Sequence, residues 1–478
     1  MGDGLSISGG AGGITANYED MVSYANLLDE AGDELRSVSG SLAGLLVDGD
    51  LLQATALCPG EVAGVLATID SAATGHRGAL WTSVELEVAA RYLRTSVDVL
   101  QFTDEQLARA EELWWDAAGF TAGAVLPAAA LALLVAAAQN PALAAQLYLN
   151  RDALLADVQE TLYDNPWLME ALSRMAPGLV QGGAFSLAAL LPGGPLLLAT
   201  LSDGNWPTGD YASSVAGLLA LARLAGHFED TGDFRVDRVG EAEEIPISPD
   251  SAIRTIFQQQ GLLSSDPGQV QVIAVGHPPS YIVQIPGTQV LDTQRGDNPI
   301  DNTTNLTLSA GQEAIITDLV AEAMRRADIP AGAPVMLTGH SQGGITAMTM
   351  ASDPGLRREF NVTSVVTGGS PVGRFDVPDH VSVVSLEHTQ DFVPMLDGTA
   401  NPDRSNWTTV RRALSDSEGT DRGARGPVTA HSTGNYASTG SDVDASTDPG
   451  IEAWRRQNEH FFAGTGTSTR YQITPEQP

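Results

Sequence analysis

Cysteine and basic residues are scarce in this sequence of 478 residues. Cys58 is the single cysteine, so an intramolecular disulfide and a cysteine-rich metal site are both excluded. Lysine and arginine together number 25 against 59 acidic residues, which gives a formal net charge of −34. Such a surface repels phosphate groups, which excludes nucleic-acid binding and disfavours purely electrostatic attachment to anionic lipid. No motif indicates a cofactor or a metal ion.

A general secretory signal is also missing, because the opening MGDGLSISGGAGG lacks its basic and apolar regions. The protein is therefore expected to stay in the cytoplasm or to leave the cell by a route that reads another signal. Hydrophobic residues make up 43% and charged residues 18% of the chain, a globular composition that argues against disorder. A chain of this length accommodates two or three domains.

Helical periodicity dominates the first part of the chain. From Met21 to Leu45 apolar residues recur at alternating intervals of three and four. This heptad seam predicts a long helix over 15–46 that packs against a partner helix. We interpret residues 1–116 as a helical hairpin or small bundle. Further helices are predicted after Pro59, over 86–100 and from Thr103 to Trp115.

Trp81-Thr82-Ser83 lies between predicted helical stretches. With two long helices and no general signal, the region resembles the small Trp-x-Gly helical-hairpin proteins exported by type VII secretion, which in actinobacteria also head larger toxins and enzymes. Ser83 replaces the glycine of that motif, and Tyr148 to Asp152 matches the tail signal Tyr-x-x-x-Asp or Glu. The resemblance implies an exported effector and a small helical partner or chaperone. An intramolecular helical domain is the alternative.

Two stretches, 117–138 and 175–202, carry no charged residue. Each is long enough to span a bilayer, but prolines interrupt both and no cluster of Lys or Arg flanks them. We expect 117–230 to form buried apolar helices, a candidate lid or cap, with a membrane-active segment as the alternative.

The composition turns polar and acidic over 228–244, which we interpret as a solvated connector to a third domain, 231–478. Beyond it strand and helix patterns alternate, which is typical of an α/β fold with a mainly parallel sheet. Ser309 and Gln312 are spaced as a capping box and predict a helix over 310–327. Strands are predicted at 269–275, 281–285, 335–337, 362–367 and 381–386.

The most informative stretch is PVMLTGHSQGG, residues 334–344. A short apolar run, a glycine-rich turn and the start of a helix follow one another there. This order is typical of a nucleophile elbow, which holds a serine in a strained conformation and needs glycines two residues to either side. Gly339 and Gly343 meet that need around Ser341, and a plain glycine-rich turn is the alternative.

An elbow serine needs a histidine to take its proton and a carboxylate to orient that histidine. On a doubly wound hydrolase sheet the acid and then the base follow the serine along the chain. Asp391 directly follows a predicted strand, and His431 is the candidate base. The competitors fit less well, either because no strand precedes them (Asp376, Asp379, Asp397, Asp403), because they precede Asp391 (His380, His388) or because they lie in a surface helix pattern (His460).

An oxyanion hole requires two N–H donors. The amide of Gln342 is one, because it directly follows the nucleophile. Thr288, in the loop after the predicted strand 281–285, is our candidate for the second. An ordinary Gly-Thr turn explains these residues equally well.

The blocks around these candidates resemble the class 3, fungal-type lipases of the α/β-hydrolase superfamily over 269–437. The resemblance implies a lipase, esterase or phospholipase A1 with Ser341 as nucleophile, Asp391 as acid, His431 as base and Thr288 with Gln342 as oxyanion hole. The matching blocks are Pro286-Gly287-Thr288, Gly339 to Gly344, Gly369 to Gly373, His388 to Pro394, and His431 with Tyr436.

Two features depart from that family. Pro286 stands in place of its usual arginine, and the segment after Thr288 is too polar for an amphipathic lid. A lid is therefore expected from 178–226. A membrane-active or partner-binding protein with an inactive hydrolase half, and a peptidase on the same fold, are the alternatives.

Overall fold

The computed structural model groups the chain into two compact units, one formed by 14–111 and the other by 1–13 together with 112–478. The smaller unit is thus an insertion within the larger, which differs from the boundaries expected after residues 116 and 230. The structure describes residues 5–10, 18–55, 57–75, 78–91, 94, 115–125, 149–150, 156–189, 200, 211–294, 296–415, 420–421 and 424–476.

A nine-stranded sheet forms the centre of the larger unit, in the order β1-β8-β7-β6-β5-β4-β3-β11-β2. β4 to β8 are parallel, and the flanking strands are antiparallel to their neighbours. The predicted mixed α/β architecture is confirmed, with parallel pairing at its centre. The strands are β1 Leu5–Gly9, β2 Phe234–Ile247, β3 Gln269–Val275, β4 Ser280–Ile285, β5 Pro334–His340, β6 Asn361–Gly368, β7 Ser382–His388, β8 Trp407–Arg412, a separate pair β9 Thr420–Asp421 and β10 Ala424–Arg425, and β11 Gly464–Pro475.

Helices cover both faces of this sheet, which explains why its central strands are apolar throughout. One face packs against Ile315–Arg326 and Gln342–Ser352. The other packs against Ala252–Leu263, Thr433–Asp444 and Pro449–Gln457. Each face thereby has its own hydrophobic core. Shorter helices are Asn302–Ser309, Leu356–Glu359 and Pro427–Ala430.

The predicted solvated connector over 228–244 is wrong, because most of it belongs to strand β2, which pairs with β11. β2 is an edge strand, and most of its residues are exposed. Charged side chains are common on such edges because they discourage pairing with other chains. The charged sequence therefore conceals a strand.

The predicted capping box is also wrong. Ser309 ends the helix Asn302–Ser309, and the next helix begins at Ile315. The carboxylate of Asp230 accepts the Ile315 N–H at 3.2 Å and so caps this N-terminus. A cap supplied by a distant residue leaves no local spacing signal.

The N-terminal strand β1 occupies the other edge of the sheet, antiparallel to β8. Residues 1–116 are thus not helical throughout. Leu5 and Ile7 pack against the core, while Ser6 and Ser8 are exposed. This alternation is what an edge strand needs to bury one of its faces.

The smaller unit contains the helices Tyr18–Leu45, Gly49–Ala54, Pro59–Thr74 and 79–91. The long helix was predicted, but its seam differs from the prediction: Tyr24 is 64% exposed and Val38 49% exposed. Buried positions are instead small residues seven apart, Ala25, Gly32 and Ser39. Small side chains at the buried positions let the helices pack closely. Large apolar side chains such as Tyr24 and Val38 then remain exposed to solvent.

Trp81-Thr82-Ser83 lies within the helix 79–91, not between helices. Ser83 is buried, whereas Trp81 is 53% exposed. Most of the seam after Ala90 and the helix predicted from Thr103 lie outside the described residues, as does most of the Tyr148 to Asp152 match.

Several accessory helices of the larger unit come from the described parts of the apolar region. Among the described residues, no helix has both the length and the apolarity to cross a membrane. Parts of both uncharged stretches, 126–138 and 190–199, lie outside the described residues. The accessory helices are 115–125, 156–164, Pro166–Arg174, Ala176–Ala189 and Tyr211–Leu224.

Two of the accessory helices cross through paired glycines. Gly119 and Gly123 on one face Gly178 and Gly182 on the other, and a Cβ built at any of them would lie 2.1 to 2.3 Å from a backbone carbonyl oxygen across the crossing. Only glycine permits backbones so close together.

Candidate active site

Ser341 lies in the turn between β5 and the helix Gln342–Ser352, with φ 56° and ψ −125°. A positive φ is uncommon for a residue with a side chain and marks a strained position. A Cβ at Gly339 would lie 2.0 Å from the carbonyl carbon of Gly343, and one at Gly343 would lie 2.0 Å from the Ile285 oxygen. The turn therefore has the strand, strained serine and helix of a nucleophile elbow.

Asp391 follows β7 by three residues and is fully buried. Its Oδ2 accepts hydrogen bonds from His431 Nδ1 at 2.7 Å and from the Tyr436 hydroxyl at 2.7 Å. Its Oδ1 accepts the Val393 N–H at 2.9 Å. Because Nδ1 of His431 donates to the carboxylate, Nε2 of the neutral ring carries the lone pair that a general base needs.

His431 and Ser341 lie at the same end of the parallel strands. Ser341 N–H donates to the carbonyl of Gly368, the last residue of β6, at 3.0 Å. A Cβ at the next residue, Gly369, would lie 2.9 Å from the His431 ring. His340 joins the two sides, because its Nε2 donates to the His431 carbonyl at 2.8 Å. The candidate nucleophile, base and acid thus cluster where the parallel strands end, the usual ligand position in such sheets.

The candidate oxyanion loop lies against the elbow. A Cβ at Gly287 would lie 3.1 Å from the Cβ of Ser341, which places Thr288 beside the nucleophile. The Thr288 hydroxyl oxygen accepts a hydrogen bond from Asn305 Nδ2 at 2.8 Å. Gln342 opens its helix, so its N–H has no intrahelical partner.

Buried aromatic and imidazole rings surround the triad. Burial lowers the pKa of His340 well below 6.5 and lowers the pKa of His388 to about 4. Burial also raises the pKa of Tyr436 well above 10. At neutral pH His340 and His388 are therefore uncharged, and the Tyr436 phenol keeps the proton that it donates to Asp391.

The competing residues lie elsewhere or have other contacts. Asp376 pairs with Arg404 at 2.6 Å on the surface, and Asp379, His380, Asp403 and His460 are exposed. Asp397 is buried, and its Oδ1 accepts the Thr399 N–H at 3.2 Å. Sequence reasoning missed the roles of His340 and His388. Their only signal was adjacency to Ser341 and to the acid segment.

The accessory helices contact the loops that carry this site. Ser173 donates to the carbonyl of Met395, just after the acid, at 2.7 Å. Tyr163 packs with Leu414 and Ala430, next to the base. Helix Tyr211–Leu224 packs on Ala310, beyond the oxyanion loop. They therefore form a helical layer beside the site.

Among the described residues, no group of three His, Cys, Asp or Glu side chains is arranged to hold a metal ion. The site brings together a strained serine, a histidine and the buried aspartate that accepts a hydrogen bond from that histidine. Comparisons with protein-family models, with characterised proteins and with solved structures found no match. The case for a function therefore depends on the geometry of the site.

Proposed function

We propose that this protein is a serine ester hydrolase of the α/β-hydrolase type that cleaves lipid or other acyl esters. The observation that carries the proposal is the 2.7 Å hydrogen bond between buried Asp391 and His431, at the end of the parallel strands where Ser341 lies in a strained turn. A buried carboxylate that orients a histidine beside a strained serine is the arrangement that acyl transfer needs.

In the proposed reaction, Ser341 Oγ attacks the ester carbonyl carbon while His431 Nε2 takes its proton. Asp391 stabilises the resulting imidazolium, and the N–H groups of Gln342 and Thr288 bind the oxyanion. The C–O bond then breaks, and His431 returns the proton to the leaving alcohol. Water, activated by the same histidine, hydrolyses the acyl-enzyme and frees Ser341.

The test is hydrolysis of p-nitrophenyl esters from short to long acyl chains by the wild type and by Ser341→Ala. We expect the variant to lose at least about 10³-fold in kcat, because the acyl-enzyme can no longer form. Exposed Ser265→Ala is the matched control and should keep full activity. Ester cleavage by Ser341→Ala, or cleavage of peptides without esters, would refute the proposal.

Export by a type VII-like route, as an actinobacterial effector, is a further part of the proposal. Its support is the helical unit 14–111, in which large apolar residues such as Tyr24 and Leu45 are exposed. A small helical partner of that unit should then co-purify when the two are expressed together, and a chain that stays monomeric beside every such partner would count against it.

A second candidate function is disruption of lipid bilayers by helices of the uncharged stretches 117–138 and 175–202. The glycine crossing favours it, because such packing does not depend on the hydrophobic effect and suits lipid as well as water. Leakage from phosphatidylcholine vesicles that persists in Ser341→Ala would support this function, and leakage lost with Ser341 would favour the enzyme.

A further inference from the structure

His388 is a buried histidine that takes no part in the proposed proton transfers, yet it connects the acid to the base. Its own carbonyl accepts the Asp391 N–H at 3.0 Å and so closes the turn that carries the acid. Its Nδ1 lies 2.8 Å from the carbonyl oxygen of Ala430, the residue before His431. One residue thus fixes both loops.

Two groups near His388, one that only accepts and one that only donates hydrogen bonds, determine the direction of each hydrogen bond around its ring. The Ala430 carbonyl only accepts, so Nδ1 carries the proton. The neutral ring then has its lone pair on Nε2, which lies 2.8 Å from the Thr439 hydroxyl. Arg412 only donates, and it lies 3.2 Å from the same hydroxyl oxygen. The hydroxyl proton is therefore directed to Nε2.

His340 acts on the adjacent carbonyl. Its Nε2 donates to the His431 oxygen at 2.8 Å, one residue beyond the carbonyl that His388 holds. Both carbonyls lie at the C-terminal end of the helix Pro427–Ala430, where intrahelical donors run out. Two neutral imidazoles thus fix two consecutive peptide groups and the orientation of the His431 backbone.

Tyr436 transmits the position of His388 to the acid. The two rings stack with centroids 3.9 Å apart, and the Tyr436 hydroxyl donates to the carboxylate oxygen that also accepts from His431. A tilt of the His388 ring would therefore move the phenol as well as the base loop. Even small displacements of these groups matter, because reacting groups must be held within fractions of an ångström.

We propose that His388, fixed as its Nδ1-protonated tautomer by Thr439 and Arg412, is a positioning residue that aligns the His431 imidazole with Asp391. The inference rests on the proposed ester hydrolysis. It adds a role for the hydrogen-bonded residues His388, Thr439 and Arg412, which take no part in the proposed proton transfers. Residues that do not react themselves but orient a functional histidine commonly affect its activity.

The test compares Thr439→Val, which removes the hydroxyl at nearly constant volume, with Thr439→Ser, which keeps it. We expect Thr439→Val to lower kcat roughly tenfold with KM within about twofold, and Thr439→Ser to restore the wild-type rate. ¹⁵N NMR should find the Nδ1-protonated form of His388 in the wild type. The downfield proton of the His431–Asp391 hydrogen bond should shift in Thr439→Val and not in Thr439→Ser.

An unchanged kcat and an unchanged downfield proton in Thr439→Val would overturn the inference, as would an Nε2-protonated His388 in the wild type. The NMR measurements need no substrate, so they also decide the case where Thr439→Val is unstable or the wild type cleaves no ester. If the wild type is inert while the His431 proton responds to Thr439→Val, ester hydrolysis is refuted and the positioning role of His388 stands.

Discussion

Asp397 is a buried carboxyl group close to the acid loop, and its burial makes stability depend on pH. It is 4% exposed, and desolvation raises its pKa from 3.8 to about 7, against the opposing effects of nearby backbone N–H groups and Arg374. Between these values the folded protein holds a proton that the unfolded chain releases. The free energy of unfolding therefore falls as pH rises from about 4 to about 7 and is level above that.

We expect Asp397→Asn to remove this contribution, which is of the order of 4 kcal/mol across the range. Urea denaturation at several pH values should show the variant gaining stability relative to the wild type as pH rises, with the gain complete near pH 8. Exposed Asp379→Asn is the control and should follow the wild-type curve. Parallel curves for Asp397→Asn and the wild type would contradict the raised pKa.

For single residues, the sequence was most informative where chemistry restricts both residue type and chain order. Ser341, Asp391 and His431 could be proposed because the elbow needs its glycines and because the acid and base follow it. His388 was set aside by the same rule of order, since it precedes Asp391. Its contacts with Ala430 and Thr439 join segments more than 40 residues apart, which no local pattern reveals.

The glycine crossing offers a matched pair of adjacent positions in one accessory helix. A Cβ at Gly182 would lie 2.1 Å from the Phe120 oxygen, whereas one at Gly183 would have its nearest neighbour 4.0 Å away. We expect Gly182→Ala to destabilise the larger unit by about 1 to 3 kcal/mol, because the two helices must separate. Gly183→Ala should be neutral or stabilising by up to about 1 kcal/mol, since alanine favours helix.

Thermal unfolding and limited proteolysis of the two variants would measure this difference. Equal melting temperatures for Gly182→Ala and Gly183→Ala would show that the helices are not in close contact. If the accessory helices shape the acyl site, Gly182→Ala should also change the chain-length preference for esters.

Elements could be predicted from sequence where burial produces a clear period. Strands β3 to β7 and the helix that ends at Arg326 agree with their predictions within a few residues, because both faces of this sheet are covered. β2 and β1 were missed because edge strands need little apolar pattern, and the cap from Asp230 was missed because it is not local. Tertiary contacts determine these elements.

The short strand β1 forms one edge of the sheet, where it pairs with β8. Ile7 packs against the core, whereas the adjacent Ser8 faces solvent. We expect Ile7→Asp to destabilise the larger unit by about 2 to 3 kcal/mol, because a charge must lie against apolar side chains. Ser8→Asp should change stability by less than about 0.5 kcal/mol.

Chemical denaturation followed by tryptophan fluorescence would report this difference, since Trp407 opens β8 next to β1 and is fully buried. Equal stability of Ile7→Asp and Ser8→Asp would mean that β1 contributes little to the sheet.

Along the chain, residues 14–111 lie between β1 and the other strands of its sheet. The protein can therefore be divided there. A chain that begins at residue 112 would present the unpaired backbone of β8, an edge that accepts an extended peptide or another copy of itself. A synthetic peptide of residues 1–13 should bind that edge and suppress self-association. The first strand would then behave as a detachable component, and the larger unit as a two-piece protein that reassembles when the pieces are mixed.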